Sequence, residues 1–418
     1  MHKISNFIKE NGLDAFKQLC YRYASTFEYS CILDSCSLNT GVAPGKYEFL
    51  AAFDAAYCLN SFAEVCKQQK SNWLFGVLSY DLKNQFENLS SSNPIFLNGP
   101  ETLFFSPHTL IAIDKLGEAT VLKGELESAF FESSQPNSTQ HSISKELNQV
   151  DKDEYLDKIK SIHQLIREGE VYELNYCLNF KHTFQNFIPS EFHIELLQKS
   201  PVPMASYLKA EHLEMCGASM ERFITKQGSK LISQPIKGTI RKGIDTEEDE
   251  KLILQLQESE KDRAENVMIV DLVRNDLSRI CKTGSVQVEE LFGIYSYLQV
   301  HQMISTISGE LREHVSFADI MKALFPMGSM TGAPKISAMK YIDELENFKR
   351  GWYSGAVGYI DPLGDFDFNV VIRSLFCDRK SSTLSYCAGG AITIDSDPEK
   401  EWDEIKLKTK AIYDLLTN

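Results

Sequence analysis

Residues 353–377 read Tyr353-Ser354-Gly355-Ala356-Val357-Gly358-Tyr359-Ile360-Asp361-Pro362-Leu363-Gly364-Asp365-Phe366-Asp367-Phe368-Asn369-Val370-Val371-Ile372-Arg373-Ser374-Leu375-Phe376-Cys377. Two apolar runs, Tyr353 to Ile360 and Phe366 to Cys377, flank the turn signal Asp361-Pro362-Leu363-Gly364. Proline presets one turn dihedral and glycine tolerates the left-handed one, so the runs are predicted to pair as an antiparallel hairpin. Downstream, Leu384 to Thr393 reads as another strand and Pro398 to Leu416 as a final helix. Upstream, Tyr155, Ile159, Ile162 and Ile166 recur at helical spacing behind the capping candidates Asp151 and Asp153. That predicts a helix from about residue 152 to Arg167, stopping at Gly169, with Val171 to Phe180 following as a strand. Lys261 to Ile280 and Ser316 to Leu324 carry helical patterns, and Ala333 to Leu345 is a third, with Pro334 in its first turn. Strands and helices alternate without a regular βαβ rhythm, which favours an α+β fold of antiparallel sheets covered by helices.

The chain of 418 residues is long enough for two or three domains of about 150 residues, or for one interwoven body. Its 43% hydrophobic and 24% charged residues exclude disorder as the main state. Lys and Arg number 43 against 58 Asp and Glu, a net charge of -15, the wrong sign for holding nucleic acid. An anionic ligand therefore needs positive charge supplied within its own site. No run of about 18 apolar residues offers a membrane span, and Met1 to Asp14 lacks a basic-then-apolar leader, so a cytoplasmic protein is expected. Ten scattered cysteines, without a C-x-x-C pair or zinc spacing, read as reduced thiols. The polar stretch from Glu132 to Ser142 divides the chain into 1–131, a surface linker at 132–150, and a region 151–418 with the sharper signals.

On the last helix Glu401 and Glu404 share a face, as Asp262 and Glu265 do on the Lys261 to Ile280 helix. Such pairs are either solvated surface or, gathered from two helices, an all-oxygen cluster suited to Mg²⁺. Gly328-Ser329-Met330-Thr331-Gly332-Ala333-Pro334 leads into a helix and Gly389-Gly390 closes a strand. Either feature serves tight packing or an anion at unpaired N–H groups. Lys237, between Ile236 and Gly238, is either a strand-end lysine paired with a carboxylate or a desolvated, nucleophilic amine. Glu221 is either a partner acid or the salt-bridge mate of Arg222.

Five ordered motifs resemble the chorismate-utilising enzymes, that is the aminodeoxychorismate and anthranilate synthase subunits and the isochorismate and salicylate synthases. They are Pro235-Ile236-Lys237-Gly238-Thr239, the run from Ala264 to Asp276, Gly328 to Lys335, Gly389-Gly390-Ala391-Ile392-Thr393, and Asp395-Ser396-Asp397-Pro398 with Glu401-Trp402-Asp403-Glu404. The likeness covers roughly residues 150–418 and implies two stacked antiparallel sheets with helices on the outer faces. Lysine at position 237 marks the aminodeoxychorismate-forming branch of the family, where the anthranilate-forming branch has alanine.

The resemblance implies Mg²⁺ held by Glu265 and Glu404, with Glu401 in support, at the ring carboxylate of chorismate. It implies that Arg373, Tyr353 and the backbone around Gly238, Thr239, Gly389 and Gly390 grip the other oxygens. Lys237 would attack C2 while Glu221, sixteen residues upstream, protonates the departing 4-hydroxyl, and ammonia would then displace the lysine at C4. No cysteine sits in a G-x-C-x-G glutaminase motif, so ammonia is expected from a separate glutamine amidotransferase subunit. The product, 4-amino-4-deoxychorismate, would serve 4-aminobenzoate and folate synthesis. Anthranilate or isochorismate/salicylate-type chemistry on the same scaffold is the rival, and an inactive regulatory relative a more distant one. Glu173 stands where the family commonly has glutamine, and Gln302 where it commonly has histidine, with His301 beside it. Ile32-Leu33-Asp34-Ser35 and Ser79-Tyr80-Asp81-Leu82 match segments that line a tryptophan pocket in relatives.

Overall fold

The computed structural model describes residues 2–38, 45–132, 141–147 and 150–417. Its strands form one continuous hydrogen-bonded ribbon in which every ladder is antiparallel. In spatial order the ribbon runs Ser142–Glu146, Glu173–Asn186, Thr383–Ile392, Ser374–Asp378, Leu213–Ser219, Met204–Ala210, Tyr29–Asp34, Phe49–Leu59 and Thr102–Ile113. It continues through Leu74–Leu78, Ala356–Ile360, Phe366–Val370, Arg222–Gln227, Lys230–Gln234 and Val300–Glu310 to the edge strand Gln287–Ser296. Strand Ile236–Arg241, which carries Lys237, also pairs with Val300–Glu310. Chain positions before residue 132 and after residue 150 are therefore interleaved: Tyr29–Asp34 lies between Phe49–Leu59 and Met204–Ala210.

Alternation within the strands produces the layers, because successive side chains point to opposite faces. Leu50, Leu208, Met215 and Phe376 join Val77, Ile224, Val357 and Phe368 in one core, so the two halves of the ribbon lie face to face. Their neighbours Phe49, Ala51, Tyr207, Cys216 and Leu375 point the other way. There they pack on Phe16 and Leu19 of helix Leu13–Ala24, Phe192 of Pro189–Lys199, and Ile412 and Leu416 of Pro398–Thr417. This is the expected sandwich with helices outside. The ten cysteines are free. Among the described residues no helix is long and apolar enough to cross a membrane.

The helix expected from residue 152 is Lys152–Glu168, with the Asp151 side chain accepting from the Asp153 N–H and Gly169 closing it at φ 82°. Three expectations need correction. The second arm of the hairpin is not one strand: Phe366–Val370 pairs with Ala356–Ile360, but Ser374–Asp378 pairs with Leu213–Ser219 and Thr383–Ile392. Arg373, at φ 52°, turns the chain from one layer to the other. Pro334 caps helix Lys335–Leu345 rather than lying in its first turn, since Gly332–Ala333 is held as a short strand against Glu173–Asn186. Within the polar stretch 132–150, Ser142–Glu146 is a strand on the ribbon's edge, while 133–140 and 148–149 lie outside the described residues.

Candidate active site

The family-like motifs converge on one cavity of about 120 Å³ whose walls include Glu221, Lys237, Gly238, Thr239, Glu265, Tyr353, Arg373, Gly389, Gly390 and Glu404. Lys237 reaches it because its strand is irregular between Ile236 and Thr239, where Gly238 takes φ 90°. A β-carbon at Gly238 would also press within 3.0 Å of Asp262. The Lys237 ammonium donates to Oε1 of Glu173 at 2.7 Å, and the Glu173 side chain is fully buried. Burial pulls the Lys237 pKa down, but Glu173, Glu265 and Glu221 outweigh it, leaving the amine protonated above its ordinary range. At rest, then, the lysine is both desolvated and paired.

Glu221 lies in the turn between Leu213–Ser219 and Arg222–Gln227 and is 4% exposed. Burial pushes its carboxyl up to about 7, against the opposing pull of the Ser329 hydroxyl and Lys237. It is not the mate of Arg222, which forks onto Asp367 and also reaches Gln234. A carboxyl still protonated near neutral pH is suited to donate a proton.

Across the cavity, helix Glu260–Ser278 presents Glu265, and helix Pro398–Thr417 presents Glu404 and Lys408. Burial pushes Glu265 up to about 7 despite Lys237 and Lys261, and its buried Oε1 has no hydrogen-bond partner. Burial also pushes on Glu404, but Lys408 at 2.6 Å outweighs it and holds that carboxyl below its usual range. Glu401 is buried behind them, bound to Lys261 at 2.7 Å, with Lys261 3.6 Å from Glu265. Among the described residues no group of three or more His, Cys, Asp or Glu is gathered as a metal cage. Glu265 and Glu404 still fit a hard cation, because a buried carboxylate oxygen with no hydrogen bond and a second carboxylate share one cavity, and Mg²⁺ takes few protein ligands.

Arg373 faces this acidic wall from the layer crossing. Its Nη1 donates to the Lys408 carbonyl at 3.1 Å, and burial pulls its pKa down to about 10 although Glu404 opposes the shift. A guanidinium destabilised in this way gains from an anionic guest. The Tyr353 hydroxyl lies 3.6 Å from the Cys177 thiol. Gly389 is required by packing: a β-carbon there would fall 2.4 Å from Cys177 Sγ and from the Tyr176 carbonyl. Its own carbonyl accepts from Lys408 at 2.7 Å.

The motifs left out Glu173, Lys261, Lys408 and Asn175, all at or beside the cavity. Lys408 had a signal in its helical spacing from Glu404, and Glu173 in standing where the family commonly has glutamine. Gln302 lines the cavity with a buried, unpartnered Oε1, whereas His301 points away, its ring held between Ser296 and Asp249. A second, larger cavity of about 660 Å³ lies among Leu33, Asp34, Ser35, Tyr47, Met204 and Asn369. There Asp34 is bound by Lys17 at 2.7 Å and by the Tyr21 hydroxyl.

Fold and site together define a stacked antiparallel sandwich whose cavity gathers Lys237 and Arg373 with the carboxyl groups of Glu221, Glu265 and Glu404. The family model of chorismate binding enzymes matches residues 20–414, and the chain belongs to that family. It is 37% identical over 364 residues to a chloroplastic aminodeoxychorismate synthase of Arabidopsis thaliana, covering 80% of this chain and 39% of that protein. It is 32% identical to anthranilate synthase component 1 of Saccharolobus solfataricus, covering 81% and 79%. The solved anthranilate synthase component I of Streptococcus pneumoniae TIGR4 superposes with a TM-score of 0.76 at 23% identity, over 88% of this chain and 92% of that one. The chain thus spans about two fifths of the length of the plant relative.

Proposed function

We propose that this chain is the chorismate-converting component of an aminodeoxychorismate synthase, forming 4-amino-4-deoxychorismate from chorismate and ammonia. The observation that carries the reading is the buried Lys237 amine sharing its cavity with the protonated acid Glu221. In the anthranilate-type branch the position of Lys237 has no amine. Chorismate would enter with its carboxylates toward Arg373 and the Glu265–Glu404 wall. Lys237 attacks C2 and the 4-hydroxyl leaves as water with the proton of Glu221, since hydroxide alone is a poor leaving group. Ammonia then bonds to C4 and the lysine departs, leaving the enolpyruvyl group in place.

Glu265 and Glu404 are the residues that would hold Mg²⁺, which when bound offsets the negative charge of carboxylates and ring substrate. Glu401 lies too deep to reach substrate and supports them through Lys261. Ammonia is drawn from a separate glutamine amidotransferase subunit, the larger Asp34 cavity takes tryptophan, and the enzyme works in the cytoplasm toward 4-aminobenzoate and folate. The reading is tested with purified protein, chorismate, Mg²⁺ and ammonium, followed by product identification. The 4-amino product supports it. Anthranilate, isochorismate or salicylate would assign the chain to a rival chemistry, and absence of turnover to a binding role.

A further inference from the structure

Glu173 opens strand Glu173–Asn186, and no part of its side chain reaches solvent. Oε1 accepts a hydrogen bond from Lys237 at 2.7 Å, and Oε2 is buried with no hydrogen-bond partner. A buried acceptor left without a partner is costly, so Glu173 keeps a vacant lone-pair site on the carboxylate that touches the amine. The other acids facing Lys237 are Glu265 and Glu221, with Glu404 farther off. Glu265 is in turn faced by Lys261, and Glu221 and Glu404 by Lys408. Of these only Glu173 touches the amine. The resting pair is nevertheless ammonium and carboxylate, a state that cannot attack carbon.

We propose that Glu173 is the proton acceptor that turns Lys237 from ammonium into nucleophile once chorismate fills the cavity. The inference rests on the covalent reading above. An Nζ–H bond breaks and an O–H bond forms on Glu173. The freed lone pair bonds to C2, and the 4-hydroxyl leaves as water with the proton of Glu221. When ammonia bonds to C4, Lys237 departs as an amine and recovers its proton from Glu173, while the new C4 ammonium returns one proton to Glu221. Both acids are reset, and the sum is chorismate plus ammonia to aminodeoxychorismate plus water, with no redox partner.

The test compares wild type with Glu173→Gln. In the wild type the proton stays inside the pair, whereas in the variant Lys237 must lose it to solvent before attacking. The variant-to-wild-type ratio of adduct-forming rates, which cancels the ionisation of Glu221, should rise about tenfold per pH unit until Lys237 titrates. A ratio flat from pH 6 to pH 9 overturns the proposal. Independently of turnover, acylation of Lys237 in the substrate-free protein, followed by peptide mass spectrometry, should reach half-extent at a lower pH in Glu173→Gln. Unchanged labelling overturns the coupling. Lys237→Ala in the same assay separates the two claims: full product from it fails the covalent reading, whereas a flat Glu173→Gln ratio with Lys237→Ala inactive fails the acceptor role alone.

Discussion

The Ser329 hydroxyl donates to Oε1 of Glu221 at 2.5 Å, fastening the candidate acid to the glycine-rich turn Gly328–Met330. The backbone of Ile236, immediately before Lys237, also favours the charged form of this carboxylate. Both influences favour the charged carboxylate, and burial overrides them.

Glu221 must be protonated to act, so amination should fall as pH rises through about 7. Ser329→Ala removes a bond that lowers the Glu221 pKa, and should therefore move this alkaline limb to higher pH. Glu221→Gln should abolish the limb together with most turnover. A pH series of kcat on the three proteins reads all of this, and a Ser329→Ala limb at lower pH would reverse the assigned role of the bond.

Arg373→Ala removes a guanidinium that burial has destabilised and that holds one internal bond, to the Lys408 carbonyl. If its purpose is the chorismate carboxylate, KM should rise roughly 10–100-fold, the loss of one charge-assisted bond of about 1.5–3 kcal/mol. The melting temperature should hold or increase. A large fall in melting temperature with KM unchanged would make Arg373 structural.

Arg350 and Glu346 form a fully buried pair at 2.6 Å, and Arg350 also donates to the Met330 and Asn175 carbonyls. The pair clamps two walls of the cavity. Arg350→Met leaves Glu346 buried and unpaired and should cost about 3–5 kcal/mol in urea unfolding. Glu346→Gln/Arg350→Met should recover part of that loss.

Much of this was legible in one dimension. The turn Asp361 to Gly364 and the caps Asp151 and Gly169 lie where patterning placed them, and Lys237, Glu221, Glu265 and Arg373, which the family resemblance singled out, line one cavity. What patterning could not see was pairing across distant segments. Glu173 stood out only as a departure from the family's usual glutamine until folding set it against Lys237, 64 positions away. Lys261 drew no notice beyond opening a helix until a second helix brought Glu401 against it. The break in the hairpin rests on one residue, Arg373, whose left-handed conformation no local preference announces.

Glu265→Gln removes the carboxylate oxygen without a hydrogen bond that is proposed for Mg²⁺. Calorimetric titration with Mg²⁺ should show at least tenfold weaker binding than wild type, and excess chelator should stop turnover. Equal Mg²⁺ affinity in the two proteins would move the metal elsewhere.

The covalent role of Lys237 is tested most directly by intact-mass analysis of enzyme quenched during turnover of chorismate without ammonium. The account predicts a mass increase equal to chorismate less water, mapped to Lys237 and absent from Lys237→Ala. It also predicts that this variant loses most 4-amino product while still binding chorismate. No adduct on the native enzyme, together with wild-type yields of 4-amino-4-deoxychorismate from Lys237→Ala, would contradict it.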